Sequence, residues 1–147
     1  MKVLVSACLL GEDCKYNGKN NYNASLVGAL GGHTIIPICP EQMGGLSTPR
    51  NPSEIVDGVV TMRTGENVDA QFREGARRAC EIALREGATH AILQSRSPSC
   101  GVKQVYDGTF TGTLIPRQGI CAKALADIGI TLIDAEDFSP DLLAIPN

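Results

Sequence analysis

The sequence contains no tryptophan, and its aromatic residues make up only 4% of the chain. Stacking platforms for single-stranded nucleic acid are therefore poorly supplied. It also lacks an excess of basic charge: 13 Lys and Arg face 16 Asp and Glu, for a formal net charge of −3. That balance argues against a general nucleic-acid binder and leaves room for a locally basic pocket. No apolar run is long enough to span a membrane. The start, Met1 to Cys8, is too short for an export signal and reads as a first strand. The chain is accordingly expected in the cytoplasm, with its thiols reduced. Two common site signatures are also missing. Without a Gly-x-Gly-x-x-Gly turn or a phosphate-loop lysine motif, a nucleotide-binding module loses ground. Without a Cys-x-x-Cys pair, so does a ribbon-type zinc site.

What is present is an ordinary globular composition of 147 residues, 43% hydrophobic and 20% charged, with six cysteines. That length suits a single domain, residues 1–147, with a real core. Reduced thiols in this number point to metal binding or catalysis more than to a disulfide framework.

Short apolar runs bounded by turn residues read as strands at Lys2–Ala7, Thr34–Ile38, His90–Leu93 and Ile130–Ile133. Pro37 places the second of these at an edge or a break in pairing. A modest helix is expected from about Asn23 to Leu30, and the longest from Ala70 to Glu86, with Asp69 as N-cap and Gly87 as stop. Phe72, Ala76, Ala79 and Ala83 form its apolar stripe. A last helix spans about Ile120–Ile128. Val105–Phe110 looks like a hairpin around Asp107-Gly108. Gln42–Asn67 reads as a long irregular connection with one short strand near Gly58–Met62, the kind of segment that is usually functional. Strand–helix alternation implies an α/β fold with a mainly parallel central sheet flanked by helices.

Cys8, Cys39 and Cys100 each fall at or just past the carboxyl end of an expected strand. Ligands of open α/β sheets bind at that edge. Three thiols converging there suit a soft metal or an iron–sulfur cluster with one open position. The alternative is simple packing, since cysteine is among the most buried residue types. Packing is the reading for Cys80, beside the alanine stripe, and for Cys121, near a helix start. Cys14, in a polar loop, is open.

In Ser97-Pro98-Ser99-Cys100-Gly101 the proline and glycine build a tight turn that displays the Cys100 thiol. Ser97 there can relay a proton or satisfy the local backbone. Glu41, two residues after Cys39, is an acid–base candidate or an exposed loop residue. Arg50 and Lys103 can hold a ligand or stand solvated, and Gly44-Gly45 can admit a ligand or only turn the chain. His33 and His90 lie at the opposite strand ends, His33 about 20 Å from Cys39 at the strand rise, so no cysteine–histidine dyad forms.

Ser6-Ala7-Cys8-Leu9-Leu10-Gly11, Cys14-Lys15-Tyr16-Asn17-Gly18, Cys39-Pro40-Glu41, Gly44-Gly45-Leu46, Pro49-Arg50, Ser97–Gly101 and Tyr106–Phe110 occur in this order from the first strand almost to the last. Together they resemble the bacterial thiouracil desulfidase family, long known as a domain of unknown function. The resemblance implies a three-layer, Rossmann-like α/β fold and a [4Fe–4S] cluster held by Cys8, Cys39 and Cys100. It implies an acid–base role for Glu41 and a catalytic role for Ser97. Gly44, Gly45 and Arg50 are candidate substrate contacts. The implied reaction is hydrolytic desulfuration of a small thiolated base or nucleoside, releasing hydrogen sulfide and a carbonyl product without net redox change. No nucleic acid or membrane partner is expected. The contrasting expectation is a non-catalytic iron–sulfur or metal-binding protein. Two positions depart from the family pattern, which usually has Asp where Asn17 stands and Thr where Cys121 stands. The chain matches the short, stand-alone form.

Overall fold

The computed structural model describes residues 1–143; the last four residues of the expected domain, 144–147, lie outside them. Four parallel strands form the central sheet in the order β2-β1-β5-β8: β1 is Lys2–Ser6, β2 Thr34–Ile38, β5 His90–Leu93 and β8 Thr131–Asp134. Between them run α1 (Ala24–Ala29), α2 (Pro40–Met43), β3 (Ser53–Val56), β4 (Val59–Met62), α3 (Asp69–Glu86), β6 (Val105–Tyr106), β7 (Leu114–Ile115) and α4 (Ile120–Asp127). The α/β class and mainly parallel sheet are as expected, and β2 is indeed an edge strand, with Pro37 opposite Val5.

Parallel strands covered on both faces need apolar residues on both. Leu4, Ala91 and Leu93 face α3 and α4, where Ala76, Ala79, Ala83, Ala122 and Leu125 meet them. Val3, Val5, Ile92 and Ile133 face Leu26 and Leu30 at α1. A third cluster, Ile55, Val60, Met62, Val68, Phe72 and Val105, seats the β3–β4 hairpin on the start of α3. That hairpin turns much of the expected irregular connection into a wall beside the sheet's carboxyl edge.

Several expectations shift. Asp69 is the first residue of α3, not its cap; its carboxylate accepts the Val60 N–H at 3.0 Å and pairs with Arg73 at 2.9 Å. The Asp107-Gly108 turn is not a two-residue hairpin: β6 pairs with β7 across the intervening loop, residues 107–113. Cys80 is half-buried against the core, while Cys121 is wholly inside it. Cys100 is less displayed than its turn suggested, 4% exposed and part of the core that α3 and α4 close.

Candidate active site

β1, β2 and β5 all end at one edge. Beyond β1 the chain enters a short turn holding Cys8; beyond β2 it passes Cys39 into α2; beyond β5 it bends through Ser97 to Cys100. Arg96 adopts φ 63 at that bend, a backbone conformation rare outside glycine. Gly101 follows, where a Cβ would sit 2.8 Å from the Ser97 and Gln104 carbonyls, so close backbone approach rather than a left-handed turn requires the glycine. The three loops enclose a cavity of about 510 Å3, lined by Cys8, Cys14, Cys39 and Cys100 together with Glu41, Arg50 and Ser97. A cavity of that size holds a small heterocycle with room to spare.

Polar contacts tie the cavity floor together. Pro40 starts α2, as its fixed φ favours, and this sets Glu41 in the first turn just past Cys39. Glu41 Oε2 receives Arg50 Nη2 at 3.1 Å and lies 3.8 Å from the Cys39 sulfur, while Oε1 accepts the Ser97 hydroxyl at 3.5 Å. Ser97 Oγ in turn accepts the Ser99 and Cys100 N–H groups at 3.1 and 3.0 Å. Arg50, its side chain 6% exposed, also donates to the Cys14 carbonyl at 3.0 Å. Asn21 Nδ2 lies 3.7 Å from the Cys8 sulfur.

Burial raises the Glu41 pKa, against the pull of Arg50 and the Ser97 hydroxyl. Burial likewise pushes the Cys100 thiol up to about 12, with Glu41 adding repulsion. Hydrogen bonding to Cys14, then burial, drives the Cys39 thiol up. At Cys14 the bond with Cys39 acts downward, but Cys8, burial and Glu12 outweigh it and lift that thiol to about 11.

The cavity thus unites Cys8, Cys39, Cys100, Glu41, Ser97 and Arg50. It does not include Gly44 or Gly45. A Cβ on Gly44 would lie 1.9 Å from the Gln71 carbonyl, so that glycine lets α2 press against α3. Lys103 pairs with Asp137 on the surface, and His33 and His90 bond near the far ends of their strands, to the N-terminus and to Thr89. Asn17 is exposed, its side chain occupied by the Lys19 N–H. Among the cavity residues not singled out from sequence as site members are Cys14 and Ser6. Cys14 turns inward because its loop is pinned by Arg50 N–H to the Tyr16 carbonyl at 2.7 Å, a contact across 34 residues with no local signal. Ser6, the last residue of β1, had a usable signal in standing two places before Cys8.

Fold and cavity define a class: an α/β domain whose ligand site, at the carboxyl edge of its sheet, combines unpaired thiols with a buried carboxylate. The comparisons are narrower. The profile described as 2-thiouracil desulfurase matches residues 3–137, and the chain belongs to that family. It is 33% identical over 147 aligned positions to the uncharacterized protein YbbK of Bacillus subtilis (strain 168), covering 93% of this chain and 97% of that one. It is also similar to the solved structure of a [4Fe–4S]-dependent thiouracil desulfidase, TudS. The TM-score is 0.90 and the identity 36%, over 96% of this chain and 94% of that one.

The donor set can be tested against such a cluster. Among the described residues no group of three His, Cys, Asp or Glu side chains is placed to hold a single metal ion. One ion requires its sulfurs within about 4 Å of one another, given metal–sulfur bonds of about 2.3 Å. A cluster spreads its thiolate ligands over separate irons and asks for wider spacing. Soft sulfur donors, none of them in a disulfide, around a cavity therefore fit a cluster better than a lone ion.

Proposed function

We propose that the protein is a desulfidase that hydrolyses a small thiolated heterocycle of the thiouracil type, with Cys8, Cys39 and Cys100 holding a [4Fe–4S] cluster. The observation that carries this reading is the meeting of three strand-end thiols with Glu41 and Ser97 in one cavity. Membership of the 2-thiouracil desulfurase family and the 36% identity to TudS support it. When bound through three thiolates, such a cluster supplies an open, Lewis-acidic iron with affinity for thiocarbonyl sulfur.

The protein's own groups handle water and protons. Thiocarbonyl plus water gives carbonyl plus hydrogen sulfide, so both water protons end on sulfur and no oxidant or reductant is consumed. Glu41 is placed to take the first proton from water and return it to the leaving sulfur. Arg50 fixes Oε2 and leaves Oε1 directed at Ser97. With two backbone N–H groups donating to its oxygen, Ser97 has its own proton committed towards Glu41, which makes it a relay. One domain carries the whole site, and its partner is a free thiolated base or nucleoside, with no nucleic acid or membrane. No described helix is long and apolar enough to cross a membrane, and the cluster suits a reducing cytoplasm.

The test is substitution with the cluster monitored separately. Glu41→Ala and Ser97→Ala should keep iron and acid-labile sulfide at parental levels while sulfide release from 2-thiouracil falls by about 10²–10⁴-fold for Glu41, as for a lost acid–base group. Unchanged release in both variants would remove these roles. A loaded parent with no release from any thiopyrimidine or thiopurine would instead be a non-catalytic cluster protein.

A further inference from the structure

Ser99 is fully buried, at 0% exposure, and its hydroxyl has no hydrogen-bond partner. An orphaned buried hydroxyl carries a desolvation cost and calls for an explanation. The residue cannot swing away. Its N–H is held by Ser97 Oγ at 3.1 Å, and its carbonyl accepts the N–H groups of Cys121 and Ala122 at 2.9 and 3.0 Å. Across the sheet edge stands a second buried hydroxyl, Ser6, 3% exposed. Ser6 Oγ accepts the Gln94 N–H at 2.9 Å, which leaves its proton to donate. Both hydroxyls stand beside the same atom, the Cys100 sulfur.

We propose that Ser99, assisted by Ser6, donates a hydrogen bond to Sγ of Cys100 when that sulfur ligates the cluster, and so tunes the cluster's electron density. This rests on the cluster reading above. The bond that Ser99 lacks is the one a ligating thiolate supplies. A hydrogen bond to a thiolate ligand withdraws electron density from the metal, raises its reduction potential and strengthens it as a Lewis acid. Ser99 is thus a positioning residue that touches the ligand and not the substrate.

Cluster occupancy and tuning are read separately, on anaerobically reconstituted protein. Iron and acid-labile sulfide should be alike in parent and Ser99→Ala, while a dye-mediated redox titration places the variant's potential below the parent's. Thermal melts should show Ser99→Ala neutral or stabilising without cluster, where the hydroxyl is orphaned, and destabilising with it. Ser6→Ala should also lower the potential, but it should cost stability in both states, because the Gln94 N–H loses its acceptor. A loaded Ser99→Ala with the parent's potential would overturn the inference and leave the cluster reading standing. So would a cluster-free Ser99→Ala that melts as far below its parent as the loaded one does, since the hydroxyl would then serve the fold alone. A parent that takes up no iron would end both.

Discussion

Adding one methyl group at Gly75 should disable the site from behind. A Cβ there would lie 1.9 Å from the Pro40 carbonyl oxygen and 2.7 Å from its carbon, and one on Gly44 would lie 1.9 Å from the Gln71 carbonyl oxygen. These are backbone atoms and cannot rotate aside. Gly44 has φ −82, so it is there for space and not for conformation. To regain ordinary contact, α2 has to retreat from α3 by about 1.5 Å, carrying Cys39 at its cap and Glu41 in its first turn. Overpacking of this kind costs about 1–3 kcal/mol, which in a domain of this size lowers the melting point by about 2–12 °C. Misplacing a reacting group by about 1 Å costs about 10²-fold in rate. Gly75→Ala should therefore melt lower and release sulfide from 2-thiouracil about 10²-fold more slowly. Gly28→Ala in α1, where a Cβ meets nothing within 4 Å, should gain about 0.5–1 kcal/mol. Thermal melts and a sulfide assay on loaded protein read both. A Gly75→Ala protein with the parent's melting point and turnover would refute the claim that this contact sets α2.

Arg50→Met strips a nearly buried carboxylate of its cation. Breaking such a pair costs about 3–5 kcal/mol, and Arg50→Lys should recover only part, because Nη2 alone serves both Glu41 and the Cys14 carbonyl; urea melts and sulfide release check both variants. Asp69→Ala should cost about 1 kcal/mol, as for a lost helix-start acceptor. Burial acts to raise the Asp69 pKa, but the Val60 N–H and Arg73 outweigh it and hold the carboxylate below its ordinary range. Its contribution is therefore present above the usual carboxylate pKa and lost as pH falls through the lowered folded value, so parent and variant stabilities should converge in acid. Glu54, 8% exposed, accepts the Gly108 and Phe110 N–H groups through Oε1 at 3.0 and 3.1 Å. Glu54→Ala should release that loop, with faster hydrogen exchange at both amides and little change in α3.

What could be read from the chain followed from local physics. The runs at β1, β2, β5 and β8 are short, apolar and bounded by turn residues, and the Phe72–Ala83 stripe marks one helix face. Because parallel strands share an edge, their carboxyl ends alone bring together Cys8, Cys39 and Cys100, thiols far apart in sequence. What escaped depended on contacts between distant segments. At four residues α2 is too short for periodicity to show. β3 carries a buried Glu54, which breaks its apolar pattern, and β7 pairs well beyond the Asp-Gly signal taken for a tight turn. Gly44 looked like room for a ligand because nothing local announces Gln71 behind it. Cys14 turns inward through the links from Arg50 to the Tyr16 and Cys14 carbonyls.

The function proposed for this cavity is hydrolysis of a thiocarbonyl without redox change. Anaerobically reconstituted protein with no added reductant or oxidant, given 2-thiouracil, tests it most directly through simultaneous measurement of sulfide and uracil. Repeated turnover is expected, with one sulfide released per uracil formed, abolished with cluster loss in Cys8→Ser, Cys39→Ser or Cys100→Ser. Loaded protein that releases no sulfide, or releases it only with added reductant, would contradict it.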